Sequence, residues 1–224
     1  MIRFQNVTFK FPYDDFALLE DATFTLQDGL NTILCDVLSG KTTICRLILG
    51  EILPQSGEIT IDGKRFSPKE HPDVLYLPQN PTFFNGRSVL FNLQYPAKVR
   101  KILPQTQQRI LQLATAFGFE KKLRQKVKNL SQQEKTQLAL ARGLTVQRKI
   151  VLFDDFFDDT CAEPRQLLQQ RFPFCKMAVV LTSCPELACG NTVVLHGKKC
   201  VYQGDAEGAK QVVRSLCWLK EKLN

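Results

Sequence analysis

The stretch NTILCDVLSGKTTICRLIL, residues 31–49, decides the fold. Residues 31–35 read as a short apolar strand and residues 44–49 as a helix, with Ser39-Gly40-Lys41-Thr42-Thr43 between them. A strand that enters a tight turn and opens a helix aims backbone N–H groups and the positive end of the helix dipole at an anion. Lys41 would then reach the β- and γ-phosphates of a bound nucleotide, and Thr42 would ligate Mg²⁺. The general pattern G-x-x-x-x-G-K-[ST] is met here except at its first glycine, where Cys35 stands. The candidate phosphate cradle therefore comprises Cys35, Asp36, Leu38, Ser39, Gly40, Lys41, Thr42 and Thr43.

On the N-terminal side, residues 2–9 (IRFQNVTF) and 20–27 (EDATFTLQ) alternate apolar and polar residues as half-buried strands do. On the C-terminal side, GEITIDG (57–63) is a strand bounded by glycines, and DVLYLP (73–78) is a buried strand. Residues 87–147 change character. Ile110, Leu113, Ala114 and Phe117, then Leu138, Ala141 and Leu144, recur at helical spacing between faces rich in Lys, Arg and Gln, which predicts a helical insertion. Strand signals return at IVLF (150–153) and MAVVL (177–181), then at residues 193–196 and 200–202, joined through Gly197-Lys198 as a hairpin. Residues 206–223 read as an amphipathic helix with Val212, Val213, Leu216 and Leu219 facing inward.

Composition narrows the class. A chain of 224 residues has room for one domain with a small inserted subdomain. Its 44% hydrophobic and 23% charged residues are globular usage rather than disordered usage. Apolar runs of about five residues fall far short of the roughly 20 that a membrane span needs. The N-terminus MIRFQNVTFKF has no continuous apolar core of the signal-peptide kind, so a cytoplasmic location is expected. Eight cysteines without a C-x-x-C pair argue against a zinc site or a disulfide framework. The net charge of +8 suits a polyanionic ligand, a nucleic acid or an anionic membrane surface without choosing among them.

Ile150-Val-Leu-Phe-Asp154-Asp155 supplies the partner the phosphate cradle needs: a buried strand ending in two carboxylates, at the edge where α/β proteins bind ligands. Asp154 would hold the Mg²⁺ shell, and Asp155 would orient or deprotonate a water. A short distance upstream lies LSQQEKTQLALARGL, residues 130–144.

The order of phosphate loop, YLPQ (76–79), L-S-x-x-E-K-x-x-L-A-L-A-R, apolar strand with Asp, and late Leu-Thr strand end resembles the nucleotide-binding domain of ABC transporters over essentially the whole chain. The resemblance implies an α/β P-loop NTPase core of ABC ATPase type with an antiparallel β subdomain and an inserted helical subdomain. It puts the core at 1–86 and 148–224 and the helical subdomain at 87–147. In that family two such domains close head to tail, with ATP and Mg²⁺ between the phosphate loop of one and the signature of the other, here Ser131 with Gln133. Gln79 corresponds to the glutamine that lies near Mg²⁺ and couples to the helical subdomain. Phe11 aligns with the aromatic that stacks on adenine, and Tyr13 competes for that role.

The departures carry as much information. Cys35 and Leu38 occupy two glycine positions of the family's G-x-x-G-x-G-K-[ST], and a non-glycine residue forced to positive φ costs about 1–2 kcal/mol. Gln132-Gln133 replaces the glycine pair of the signature, although Ser131-x-x-Glu134 still makes a capping box. Asp155 stands for the catalytic glutamate, one methylene shorter, and a displacement of about 1 Å costs roughly 10²-fold in rate. Ser183 stands for the histidine that contacts the γ-phosphate. Neither His71 nor His196 lies near that strand end in the sequence, so no substitute is visible. Asp158-Asp159-Thr160-Cys161 matches the family's S-A-L-D loop only loosely.

Three readings follow from the resemblance. One is a slow ABC-type ATPase on the cytoplasmic face of a membrane, driving transport through separate transmembrane subunits that would set specificity. Another is a non-catalytic ABC module whose ATP-dependent dimerisation regulates or assembles a complex. The third is a soluble protein acting on nucleic acid or the ribosome, supported only by the charge and disfavoured because such proteins usually fuse two domains. In a homodimer both composite sites would join an altered phosphate loop to an altered signature, so a second ABC ATP-binding subunit of regular signature is the favoured partner. Residues 79–101 would contact the membrane subunits.

Overall fold

The computed structural model describes residues 1–14, 16–36, 40–65, 73–157 and 175–222, with side chains as far as residue 216. In chain order the elements are β1 (Ile2–Phe9), β2 (Leu19–Leu26), β3 (Gly29–Cys35), α1 (Lys41–Ile48), β4 (Ser56–Ile61), β5 (Lys64–Arg65), β6 (Val74–Pro78), α2 (Val89–Val99), α3 (Leu103–Ala116), α4 (Gln132–Leu144), β7 (Ile150–Asp154), β8 (Met177–Thr182), β9 (Asn191–His196), β10 (Lys199–Gly204) and α5 (Ala206–Lys222). They fall into two compact units, Met1–Gln79 with Lys149–Asn224, and Asn80–Arg148.

The first unit holds two sheets. The antiparallel one runs β2-β1-β4-β5, and the larger one runs β10-β9-β3-β8-β7-β6. In the antiparallel sheet Ile2, Phe4, Val7 and Phe9 bury one face, and Phe4 stacks on Phe24 across the strands at 4.3 Å. Pairing of β1 with β4 slips at Asn6, whose φ is 50°, and there Gly57 takes φ 77° with no room for a side chain. A Cβ on Gly57 would lie 2.2 Å from the Asn6 carbonyl oxygen. The short strand β5 carries no sequence signal of its own.

In the larger sheet β9, β3, β8, β7 and β6 are parallel, and both faces are covered, as parallel sheets require. Ile33, Leu152, Val179 and Val193 share a core with Ile44, Leu47 and Ile48 of α1 and with the antiparallel sheet. Leu34 and Val194 point the other way, onto Ala188, Ala209 and Val213. Val212, Val213 and Leu216 of α5 are half-buried, and Leu219 lies beyond the described side chains. The hairpin between β9 and β10 turns on Gly197 (φ 54°) and Lys198 (φ 74°), the two positive-φ residues a two-residue turn of this hand demands. Register brings the strand ends level: Pro78 pairs with Asp154, Asp154 with Leu181, and Leu34 with Thr182. The carboxyl ends of β3, β6, β7 and β8 therefore lie along one edge.

The second unit is helical. Val89, Leu93 and Ala97 of α2, Ile110 and Ala114 of α3, and Leu138 and Ala141 of α4 meet in one core with Phe119, Val127 and Leu130. Leu113 and Phe117, expected on the inner face of α3, are half-buried.

Candidate functional site

At the end of β3 the chain reaches α1 through Gly40, which takes a left-handed conformation (φ 81°, ψ 33°), and no side chain caps the helix. A Cβ there would lie 2.3 Å from Leu18 Cδ1, so glycine is required sterically as well as conformationally. The helix starts at once on Lys41, leaving first-turn N–H groups for an anion. Thr43 is buried behind it.

Three elements converge at this helix start. From α1, Thr42 Oγ1 donates to Asp154 Oδ2 at 2.7 Å. From β6, Tyr76 Oη donates to the same oxygen at 2.7 Å. From the end of β7, Asp155 Oδ2 meets Lys41 Nζ at 3.2 Å. Asp154 and Lys41 are buried. Burial, and then the hydrogen bond to Asp154 and its charge, push the Tyr76 hydroxyl far above the ordinary tyrosine value, so it stays protonated and donates. Burial first, and then Asp154, raise the Cys45 thiol of α1 in the same direction, so it is neutral. The donors facing the site are a hydroxyl and carboxylates, hard oxygen ligands that suit Mg²⁺. Among the described residues no cluster of His, Cys, Asp and Glu could hold a metal by itself.

Two expectations need correction. The motif places strain at Cys35, a glycine position, yet Cys35 ends β3 as a buried strand residue and is not among the residues of positive φ. Leu38, the other such position, lies outside the described residues, and at this site positive φ falls on Asp155, at 45°, whose N–H donates to the Leu181 carbonyl at 2.9 Å. That turn carries the carboxyl to Lys41. His196 is remote from Ser183 in sequence but not in the fold. It ends β9, which pairs with β3 through Leu195 and Cys35, and its Nδ1 lies 2.7 Å from Asp36 Oδ2. His196, Asp36 and Ser183 line one cavity of about 240 Å³, walled by Leu34, Val194 and Val213.

The remaining candidates divide. Gln79 is exposed one residue beyond the Pro78–Asp154 pair, on the site's edge. Ser183 follows β8, where Thr182 Oγ1 accepts the Cys184 N–H at 3.1 Å. Phe11 packs edge-on against Phe9 at 4.9 Å, on the margin of the core, whereas Tyr13 is 99% exposed. Phe16, not singled out from the sequence, is 74% exposed with Lys198 Nζ 5.2 Å from its ring. In the helical unit Ser131 caps α4: its Oγ accepts the Glu134 N–H at 3.2 Å, while Glu134 Oε2 accepts the Ser131 N–H at 2.8 Å. Gln132 and Gln133 are exposed in its first turn. Leu38, Ser39, His71 and the segment Asp158-Asp159-Thr160-Cys161 lie outside the described residues.

Known proteins resemble this chain in sequence and in fold. A family model described as ABC transporter matches residues 19–158, more than half of the chain. The molybdate/tungstate import ATP-binding protein WtpC of Thermococcus kodakarensis is 32% identical over 152 residues, which take in 66% of this chain and 46% of that protein. The chain spans about half the length of the curated relatives it matches. Among solved structures, a nucleotide-free ATP-binding cassette from an ABC transporter superposes with a TM-score of 0.75 at 16% identity, covering 96% of this chain and 95% of that one. A bacterial Atm1-family ABC exporter with ATP bound gives 0.80 at 20%, over 98% of this chain and 42% of that one. Both likenesses show the same fold.

Proposed function

This chain belongs to the ABC transporter family, and from that premise we propose that it is an ATP-binding subunit that drives transport through separate membrane-spanning chains. The observation that carries this reading is the convergence of Lys41, Thr42, Asp154 and Asp155 at the uncapped start of α1. ATP phosphates would take the N–H groups of α1 and draw Lys41 from Asp155. Thr42, Asp154 and Gln79 would hold Mg²⁺, which when bound neutralises charge between the phosphates. Asp155, released from Lys41, would orient the attacking water. Its short side chain, with Ser183 in place of histidine, supports slow hydrolysis. Calorimetric titration with ATP and Mg²⁺ tests binding, and no heat at millimolar ATP would overturn the reading.

A second reading, ATP binding without turnover, is favoured by one observation: the Ser131 hydroxyl is already engaged in capping α4. Steady-state phosphate release separates the two.

For the membrane partner, the helical unit offers a groove of about 580 Å³ within and beside residues 79–101, floored by Phe83, Phe84, Tyr95 and Val99 and rimmed by Arg100 and Arg142. Arg142 is fixed there by the Thr82 carbonyl at 2.7 Å and by the Phe83 ring at 4.6 Å. Among the described residues no helix is long and apolar enough to cross a membrane. A second ATP-binding subunit of regular signature would complete the Lys41 site better than a second copy of this chain. Copurification from native membranes with mass spectrometry tests both partners, and recovery of a soluble homodimer with full turnover would contradict them.

A further inference from the structure

The Tyr76 hydroxyl carries no motif of its own in the sequence. The residue lies in β6 opposite Leu152 of β7, and its ring packs against the main core. A phenylalanine would fill that space without desolvating a hydroxyl. The hydroxyl instead reaches Asp154 Oδ2 at 2.7 Å, the oxygen that also takes Thr42 Oγ1 at 2.7 Å. We infer that Tyr76 is a positioning residue of the cation site, whose hydroxyl holds the Asp154 carboxylate toward Thr42 before nucleotide arrives. This inference rests on the reading of the site as one for nucleotide with a divalent cation.

The chemistry of the donors supports the assignment. Asp154 is 4% exposed, so its carboxylate cannot rely on bulk water to fix its orientation. Among the described residues, the side chains that donate to it are neutral hydroxyls, which orient a carboxylate while leaving its full charge for a cation. The neighbouring ammonium, on Lys41, is paired instead with Asp155. The division is that of a preorganised cation site: the carboxylate meant for the metal is held by hydroxyls, and the other carboxylate takes the lysine.

The test uses the full chain and Tyr76→Phe, which keeps the ring. Three readouts are compared: ATP affinity in EDTA, ATP affinity with Mg²⁺, and Mn²⁺ affinity of the ATP complex by electron paramagnetic resonance. Losing a hydrogen bond to a charged group predicts about a tenfold weaker Mn²⁺ complex and about a tenfold smaller gain from Mg²⁺. ATP affinity in EDTA stays within about twofold of the parent, because it does not depend on the orientation of Asp154, while Tm falls by a few degrees, as loss of any buried hydrogen bond to a carboxylate predicts. Parent-like Mn²⁺ affinity in the variant would overturn the inference and leave the nucleotide reading standing. Equal losses of ATP affinity in EDTA and in Mg²⁺ would also overturn it, as the mark of a general structural role rather than one at the cation. A parent chain that gains nothing from Mg²⁺ would overturn the reading of the site, and the inference with it.

Discussion

Two helices of this molecule begin in opposite ways, and the contrast separates what binds from what merely folds. Helix α1 begins behind a left-handed glycine with no side-chain cap. Helix α4 begins behind Ser131, with Ser131 and Glu134 closing reciprocal bonds across its first turn and Lys122 reaching Glu134 as well. One helix leaves its N–H groups for an anion, and the other satisfies part of its own. On the proposed reading both positions would face nucleotide, and the contrast then predicts that α1 is the main binder and α4 the weaker contributor.

The harshest test of that contrast is Lys41→Ala. The substitution removes the one ammonium at the start of α1 and leaves Asp155 with an unpaired carboxylate where phosphate must approach. Charge-assisted contacts to phosphate make a loss of about 100-fold or more in ATP affinity the expected outcome by calorimetry. Affinity equal to the parent would mean that nucleotide binds elsewhere, and the comparison between the two helices would lose its meaning.

The next test asks whether the chemistry is limited at the α1 side. Asp155→Glu with Ser183→His restores side-chain reach at the ends of β7 and β8 and should raise kcat about tenfold, read as steady-state phosphate release. An unchanged rate would move the limiting defect to Gln132-Gln133 at the start of α4, which sharpens the comparison from the other side.

A smaller effect is expected from Asp155→Asn. Asp155 now occupies Lys41 at 3.2 Å, at a strained backbone φ of 45°, so ATP must displace a carboxylate to reach the ammonium. With that charge gone, ATP should bind about threefold more tightly while turnover falls, since an amide cannot serve as a base. Weaker binding in the variant would show that the pair aligns Lys41 for phosphate rather than competing with it.

The sequence makes the binding elements legible because they are local. Residues 31–49 announce strand, turn and helix in one run, and the apolar strand ending in Asp154 and Asp155 needs no distant partner to be recognised. What escapes depends on strand order and register. The role of the Tyr76 hydroxyl is defined by an acid 78 residues away, and the parallel pairing of β6 with β7 that joins them leaves no mark on either strand alone. His196 looks remote from Ser183 because β9 follows β8 in the chain, yet β3 inserts between them and the strand ends share one edge. Strain is expected at Cys35 from a missing glycine, yet Cys35 ends β3 without positive φ, and Asp155 takes positive φ where no motif predicts it. A motif gives residue types, whereas the backbone at each position is set by the strand it terminates. The capping box, by contrast, is a pattern of three-residue reach, and it forms as read.

The smallest expected effect concerns that box and bears on α4 alone. Ser131→Ala removes an N-cap, a change that costs about 1 kcal/mol and, for a chain of this size, lowers Tm by about 2–4 °C. ATP affinity of the isolated chain should not move, because the Ser131 hydroxyl is already bonded to the Glu134 N–H. Glu134→Gln adds a pH signature. The Lys122 hydrogen bond, then the Ser131 N–H, hold the Glu134 carboxyl below its ordinary value in the folded chain. Its contribution is therefore complete above the unfolded value of about 4.3 and fades as pH falls through the lower folded value. The penalty of Glu134→Gln should be present at neutral pH and vanish in acid, whereas that of Ser131→Ala, carried by a hydroxyl that does not titrate, persists. Thermal melts of the two variants at neutral and acid pH decide it. A loss of ATP affinity in Ser131→Ala would break the contrast by tying the start of α4 to nucleotide bound at α1.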